Sequence, residues 1–346
     1  MKISLKAVAI AAAALMALAG CSSNNGNATN PTTTPGGTTG APAAPLNITL
    51  LPKNLGNPYF DTSNTGAQKA GTEIGATINY TGPSDATADS QVSYINTATQ
   101  QKASAIVISS NDQTAVCDAL NDAMTAGVKV VTFDSDAPTC RNLFINQATA
   151  EGIAQVLVDM AADQSGDSGQ IAILSATANA TNQNAWIDQM KTILAASHPN
   201  IQLVDVVYGN DDDQTSFDKT AALIQKYPDL KVIVAPTTVG IAAAARYVST
   251  SDVKGKVLVT GLGTPNDMRA YVKDGTTKEF ALWNPSDLGY LAIYAAQALV
   301  DGTITGAKGD TFTAGTLGTF TVGDDATVLL GDPYKFNASN IDQFNF

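Results

Sequence analysis

Short apolar segments alternate with longer, more polar segments along most of this chain, and this alternation limits the folds that it can adopt. SAIVIS at 104–109, KVVTF at 129–133, QIAIL at 170–174 and KVIVA at 231–235 are apolar almost throughout. Strands that lack polar residues on alternate positions are buried on both faces, which is typical of parallel sheets covered by helices. The pattern therefore predicts an α/β fold with doubly wound parallel sheets.

The alternation runs twice along the chain. The first run predicts strands at 47–51, 77–80, 104–109 and 129–133, separated by helices at 63–75, 88–102 and 114–126. The second run predicts helices at 149–164, 182–197, 215–227 and 239–248, and strands at 170–174, 201–207, 231–235, 256–260 and 280–283. Each run has the size of a domain, about 100 to 130 residues, so we expect two lobes. The Thr- and Gly-rich tail after Gly302 predicts loops with short strands.

The first 21 residues predict export. Lys2 and Lys6 precede an apolar stretch at 7–19, which is too short for a membrane-spanning helix and is typical of a secretory signal. The small residues before Cys21 look like a bacterial lipoprotein cleavage box, which implies that Cys21 becomes the first mature residue and carries lipid. We therefore expect an exported, membrane-anchored lipoprotein that faces the periplasm or the cell exterior. An ordinary signal peptide with a chance cysteine is the alternative.

Residues 22–45 separate this signal from the first predicted strand. They are nearly all Ser, Asn, Gly, Thr, Pro and Ala, without a charged side chain. Such a segment cannot bury enough apolar surface to fold, so it predicts a disordered linker. A flexible coil of about 24 residues spans roughly 25 to 30 Å.

Charge and motif content exclude several functions. The chain has a formal net charge of −12 and no basic run, which disfavours nucleic acid and anionic lipid surfaces as partners. It has no Walker A loop, HExxH or GxSxG motif, and one histidine, His198, is too few for a His-rich zinc site. Residues 211–213 are three aspartates without the remainder of a calcium loop, so we interpret them as a solvated turn. We expect a protein that is not an enzyme and has no metal or cofactor.

Cys117 and Cys140 are the two cysteines outside the signal. In an oxidising compartment an isolated pair can form a disulfide, which would contribute about 3 kcal/mol in the chain-entropy model. Two buried free thiols are the alternative.

Polar and aromatic side chains follow several predicted strands, where the sheets of this fold class bind their ligands. They are Lys53, Asn54, Asn57, Tyr59, Phe60, Asp134, Asn182, Gln183, Trp186, Pro236, Thr238, Trp283 and Asn284. Amides both donate and accept hydrogen bonds, carboxylates accept and ammonium groups donate, while aromatic faces cover the C–H side of a sugar ring. The set predicts a small neutral polyhydroxylated ligand. Asp134 and Asn182 could instead act only as helix N-caps.

These segments resemble one family. The type I periplasmic binding proteins of sugar ABC transporters resemble this chain over nearly all of its folded region, in LPKNLGNPYFD (51–61), TFDSD (132–136), ILSATANATNQNAWIDQMK (173–191), VIVAPTTVGIAAAA (232–245), VTGLGTPNDM (259–268) and FALWNPSDLGY (280–290). The resemblance implies two lobes joined by three crossovers, with the ligand clamped at the hinge. It also implies a monomer that delivers its ligand to an ABC permease.

The resemblance places the first lobe at 46–147 plus about 285–312, and the second lobe at 148–284 plus about 313–346. Within the family, the chain looks closest to the rhamnose-binding proteins and the autoinducer-2 receptors of the Lsr type. Lys53 and Asp134 match ligand-binding positions of the autoinducer-2 receptors, but Asn182 and Thr238 stand where those receptors have Asp and Ala. TNQN, APTTVGIAAAA and LWNPSDLGY look like the rhamnose-binding group, which favours L-rhamnose as the ligand.

The sequence leaves one alternative for the ligand and one for the role. The chain looks more like the autoinducer-2 receptors at Cys117, at Cys140 with Arg141 and at residues 145–147. Autoinducer-2 is therefore the second ligand candidate. A lipoprotein of this fold could also present its ligand to a membrane signalling receptor instead of a permease.

Overall fold

The computed structural model describes residues 45–346, so the predicted signal, Cys21 and most of the linker lie outside the described residues. The strands are β1 (Asn47–Leu51), β2 (Thr77–Tyr80), β3 (Ala105–Ile108), β4 (Lys129–Phe133), β5 (Leu143–Asn146), β6 (Gly169–Ser175), β7 (Ile201–Tyr208), β8 (Leu230–Ala235), β9 (Leu258–Gly261), β10 (Glu279–Leu282), β11 (Thr311–Ala314), β12 (Gly318–Thr321), β13 (Thr327–Leu329) and β14 (Tyr334–Asn337). The helices are α1 (Pro58–Ile74), α2 (Val92–Gln100), α3 (Cys117–Thr125), α4 (Ala150–Ser165), α5 (Thr181–Ser197), α6 (Asp213–Lys226), α7 (Thr238–Thr250), α8 (Pro265–Lys273) and α9 (Pro285–Val300).

The first sheet is parallel throughout, with the strand order β13-β5-β4-β3-β1-β2. Successive side chains of β1 point to opposite faces, and Leu50 packs in the core beneath α1 and α9, whereas Leu51 packs in the core beneath α2 and α3. Both faces are therefore covered, which is why the central strands are largely apolar on both faces. This sheet and the helices α1, α2, α3 and α9 form the first lobe.

The second sheet has the order β7-β6-β8-β9 and is also parallel. A bridge between Leu262 and Ala281 links β9 to β10, and β14 pairs antiparallel with β10. Helices α4 to α8 pack around these strands, which together form the second lobe. The predicted α/β class with two doubly wound parallel-sheet lobes is confirmed.

The chain passes between the two lobes after β5, after β10 and after β13. The assignment of all of 313–346 to the second lobe is wrong for β13, which lies beside β5 in the first sheet with Val328 opposite Ile145. Val328 is buried there, so the pairing buries apolar surface that the isolated tail would leave exposed. The short strands predicted for the tail are present as β11 to β14.

Close packing between α1 and α9 brings two site segments together. A Cβ atom on Gly66 of α1 would lie 1.8 Å from the carbonyl oxygen of Ser286, and one on Gly289 of α9 would lie 2.0 Å from that of Ser63. Only glycine permits this approach. Tyr59, in the first turn of α1, and Trp283, which precedes α9, therefore lie near each other.

Helix α1 begins at Pro58, five residues earlier than predicted. Asn57 caps it by accepting a hydrogen bond from the Tyr59 backbone N–H at 3.1 Å, and a proline at the first helical position needs no donor partner. The early start places Tyr59 and Phe60 on a rigid helix instead of a loop.

Cys117 and Cys140 form a disulfide with their Cα atoms 5.2 Å apart. It joins the start of α3 to the loop that follows β4. Within residues 45–346, no helix is both long and apolar enough to span a bilayer. In the same part of the chain, no group of three or more His, Cys, Asp or Glu side chains is arranged to hold a metal ion.

Candidate functional site

A cavity lies between the carboxyl ends of the two sheets, with about 360 Å³ of space not occupied by atoms, part of which is open to solvent. All of the predicted ligand-binding side chains except Asn54 and Asn284 line it. Its walls are formed by Lys53, Asn57, Tyr59, Phe60, Asp134, Asn182, Gln183, Trp186, Asp211, Pro236, Thr237, Thr238, Leu262, Leu282 and Trp283. Both lobes contribute, because strands of both sheets end at this cavity.

The first lobe supplies an ammonium group and a carboxylate. Lys53 lies on the turn after β1 and is 4 % exposed, with its Nζ 4.0 Å from Oδ2 of Asp134. Asp134 follows β4 directly in a left-handed conformation, with φ of 60°, and its Oδ2 accepts a hydrogen bond of 2.7 Å from the Ser109 hydroxyl. Burial raises the pKa of Asp134, and the opposing effects of Lys53 and the Ser109 hydroxyl are smaller. A buried carboxylate of this kind is a strong acceptor for ligand hydroxyl groups.

The second lobe meets these groups through Asn182, in the first turn of α5. Asn182 Oδ1 accepts hydrogen bonds from Lys53 Nζ at 3.0 Å and from the Gln183 backbone N–H at 2.9 Å. Its Nδ2 lies 3.4 Å from Oδ1 of Asp134. Asn182 therefore bridges a cation and an anion of the opposite lobe, which requires a side chain that both donates and accepts.

Four aromatic rings form the apolar wall. Trp283 Nε1 donates a hydrogen bond of 2.8 Å to the Tyr59 hydroxyl, and these two rings meet edge to face with centroids 6.2 Å apart. Trp186 packs against Trp283 at 6.1 Å, and Phe60 contacts Tyr59 at 5.1 Å. Burial, followed by the charge of Asp134, raises the pKa of Tyr59 well above its ordinary value, so Tyr59 stays a neutral donor.

The interpretation of residues 211–213 as a solvated turn is wrong for Asp211. Asp212 caps α6 through a hydrogen bond of 2.7 Å from the Thr215 backbone N–H, and Asp213 is exposed and pairs with Arg246. Asp211, in contrast, lines the cavity and accepts a hydrogen bond from the Thr237 hydroxyl. Its left-handed backbone, with φ of 51°, turns the side chain inward. Burial raises the pKa of Asp211, with Lys53 opposing it.

Asp211 follows β7, so the strand-end position that identified the other residues also identifies it. Thr237, Leu262 and Leu282 line the cavity too, although they were not among the predicted site residues. Thr237 has the same strand-end signal, after β8. The two leucines are apolar, so the strand-end pattern of polar residues does not identify them. Only the folded structure shows that they line the cavity.

Asn54 and Asn284 lie outside the cavity. Asn284 caps α9, since its Oδ1 accepts a hydrogen bond of 3.0 Å from the Ser286 backbone N–H. Asn54 is buried at the mouth of the cleft, in a separate depression that Asp85 and Asn179 also line. The structure therefore gives neither side chain a place in the cavity wall.

The arrangement suits a neutral ligand with several hydroxyl groups. Asp134 and Asp211 accept, Lys53 donates, and the amides of Asn182 and Gln183 do both. Gln183 Oε1 is buried without a hydrogen-bond partner, which leaves one acceptor available to a ligand. No histidine or cysteine lines the described cavity.

A family model described as "Periplasmic binding protein domain" matches residues 48–304. Among solved structures, a sugar ABC transporter protein from Actinomyces odontolyticus is 54% identical, with a TM-score of 0.70, and the match covers 87% of this chain and 98% of that one.

Two further structures carry ligands. A solute-binding protein of an ABC transporter from Clostridium phytofermentans with bound L-rhamnose is 40% identical, with a TM-score of 0.84, and the match covers 87% of this chain and 98% of that one. LsrB from Clostridium saccharobutylicum in complex with AI-2 is 31% identical, with a TM-score of 0.82, and the match covers 87% of this chain and 100% of that one.

Proposed function

This chain belongs to the periplasmic binding proteins, in the group that serves sugar ABC transporters, and we propose that its ligand is a neutral monosaccharide, with L-rhamnose as the first candidate. The observation that carries the proposal is the cavity, in which two carboxylates and several amides, buried or half-buried, face aromatic rings. L-Rhamnose offers hydroxyl groups to the polar wall and a methyl group to the apolar wall. The 40% identical protein with bound L-rhamnose supports this choice of ligand.

Autoinducer-2 is the second candidate, favoured by the similarity to LsrB and by Lys53 and Asp134 in the positions that such receptors use. Asn182 and Thr238 weigh against it. Asn182 donates toward Asp134 at 3.4 Å, whereas an aspartate at that position would face Asp134 as a second anion. The number of acceptors on this side of the cavity is therefore lower than in those receptors.

Ligand binding would act by closing the cleft. Lys53 and Asp134 form one wall and Asn182 and Asp211 form the other, so a sugar contacts both walls only when the lobes are together. A ligand favours the closed state to the extent that it binds that state more tightly. We propose that the closed form, anchored through lipid on Cys21 and spaced by residues 22–45, delivers the sugar to an ABC permease. Presentation to a membrane signalling receptor is the alternative role.

Calorimetric titration of the chain from Ser22 onward with L-rhamnose, autoinducer-2, D-ribose and D-arabinose tests the ligand. We expect a dissociation constant near 1 μM or lower for L-rhamnose, which corresponds to about −8 kcal/mol, and a much weaker response to the others. Tighter binding of autoinducer-2 would contradict the rhamnose assignment. Failure of all four compounds would contradict both candidates. A transport role is tested separately, by uptake of labelled sugar in cells that express a sugar ABC permease with and without this chain.

A further inference from the structure

A buried side-chain network lies behind the first-lobe wall of the cavity. Gln91, the residue before α2, is 0 % exposed, and its Nε2 donates hydrogen bonds to the backbone carbonyls of Pro52 at 2.9 Å and Ser109 at 2.7 Å. Its Oε1 accepts from the Asn111 backbone N–H at 2.9 Å. One planar amide thus uses both of its hydrogens and its oxygen to join the loops that follow β1 and β3.

Asn111 extends this network toward Lys53. It is 2 % exposed, and its Nδ2 donates to the backbone carbonyl of Lys53 at 2.9 Å and to the Ser90 hydroxyl at 3.2 Å. The carbonyls of Pro52 and Lys53 are consecutive in the chain. Gln91 and Asn111 together therefore hold the peptide groups on both sides of the Lys53 Cα atom.

The same network reaches Asp134 through Ser109. Gln91 holds the Ser109 carbonyl, and the Ser109 hydroxyl donates to Asp134 Oδ2 at 2.7 Å. Neither Gln91 nor Asn111 lines the cavity. Their hydrogen bonds reach the backbone carbonyls on both sides of the Lys53 Cα atom and the carbonyl of Ser109, whose hydroxyl holds Asp134.

We propose that Gln91 is a positioning residue for ligand binding, whose side-chain amide sets the orientation of Lys53 and Asp134 in the cavity. The proposal rests on the proposed function, because it assumes that this cavity holds the sugar. Its physical basis is that binding groups need a supporting shell of hydrogen bonds that restricts their orientation, and here a single amide supplies that support to two of them.

The test replaces Gln91 by an isosteric residue that cannot make the same bonds. In Gln91→Glu the Nε2 donor becomes an oxygen that faces the Pro52 and Ser109 carbonyls, so two attractive contacts become repulsive. We expect the dissociation constant for L-rhamnose to rise at least tenfold in calorimetric titration of the chain from Ser22 onward. Gln100→Glu, at the exposed end of α2, introduces the same charge and should leave the affinity unchanged.

A double-mutant cycle distinguishes positioning from general destabilisation. If Gln91 acts largely through Lys53, Gln91→Glu should weaken binding by a clearly smaller factor in a Lys53→Met background than in the parent. The same comparison in an Asp134→Asn background tests the route through Ser109. An equal factor in the parent and in both of these backgrounds would overturn the proposal, as would unchanged affinity of Gln91→Glu in the parent background. Gln91→Met, which removes the three side-chain hydrogen bonds of Gln91 without adding a charge, replaces Gln91→Glu in the same cycle if that variant does not fold.

The parent titration separates this proposal from the proposed function. If the parent binds no L-rhamnose, the ligand assignment fails, and the cycle is carried out with whichever of autoinducer-2, D-ribose or D-arabinose the parent binds. If the parent binds none of these compounds, the assumption that this cavity holds such a ligand fails, and the positioning proposal fails with it.

Discussion

Lys53 Nζ donates a hydrogen bond of 3.0 Å to Asn182 Oδ1 and thereby joins the loop after β1 to the first turn of α5. The two residues are 129 positions apart in the chain and belong to opposite lobes. The bond lies in the wall of the cavity, beside Asp134, so it closes the same gap that a ligand would bridge. A ligand hydroxyl that contacts both groups would reinforce this link between the lobes.

Replacing Asn182 by aspartate should move the ligand preference away from L-rhamnose and toward autoinducer-2. The variant loses the donor toward Asp134, at 3.4 Å, and places two carboxylates side by side. We expect L-rhamnose affinity to fall by about tenfold or more, or about 1.4 kcal/mol, while autoinducer-2 affinity rises. Competition calorimetry with both ligands measures the change. Gln189→Glu, on the exposed side of α5, is the matched control, and an unchanged preference in Asn182→Asp would remove Asn182 from the specificity determinants.

Replacing Asp134 by asparagine should weaken sugar binding and stabilise the ligand-free protein at neutral pH. Burial raises the pKa of Asp134 above its ordinary value of 3.8, so the folded protein binds the proton more tightly than the unfolded chain. The contribution of this group to stability is fully present below pH 3.8 and is lost as the pH rises through the folded-state pKa. An asparagine cannot ionise, so its variant does not lose this stability as the pH rises.

Thermal unfolding as a function of pH measures this effect. The melting temperature of ligand-free Asp134→Asn should exceed that of the parent at pH 7, and the difference should shrink as the pH approaches 4. Titration with L-rhamnose should give a loss of about 1 to 3 kcal/mol in binding. A lower melting temperature at pH 7, with a difference that grows toward acid pH, would contradict this account.

Asp211 should contribute to binding, although the two aspartates that follow it, Asp212 and Asp213, should not. Its carboxylate lines the cavity and is held by the Thr237 hydroxyl, whereas Asp213 is exposed and pairs with Arg246. We expect Asp211→Asn to weaken L-rhamnose binding by about tenfold, near 1.4 kcal/mol, because an acceptor-only group becomes partly a donor. Asp213→Asn serves as the matched control in the same titration. Equal affinities of the two variants would place Asp211 outside the binding site.

Replacing Gly66 by alanine should destabilise the first lobe. The added Cβ would lie 1.8 Å from the Ser286 carbonyl oxygen, so α1 and α9 would have to move apart. The expected loss is about 1 to 3 kcal/mol in the free energy of unfolding, measured by urea denaturation. Thr72→Ala, on the exposed face of the same helix, should change the stability far less. If Gly66→Ala has the same free energy of unfolding as the parent, α1 and α9 can move apart without a loss of stability and the prediction is wrong.

Local patterns were sufficient to predict most of the first and second sheets, because strands buried on both faces are largely apolar without alternation. Elements with weaker patterns were missed. Helix α9 is apolar on most of its surface because it is buried between α1 and the first sheet, so it lacks the amphipathic period of a surface helix. Strand β13 is three residues long, and its partner β5 lies more than 180 positions earlier.

For the site, the sequence alone determined the chemistry and the approximate location. Lys53, Asp134 and Asn182 follow strands whose carboxyl ends must meet at one edge of each sheet, so their convergence follows from the parallel topology. The tertiary structure decided which strand-end residues face the cavity. Asn284 turns away to cap α9, whereas Asp211 turns inward from a left-handed backbone. No local pattern marks Gln91 in the sequence, because its role depends on hydrogen bonds to loops 18 and 39 positions away.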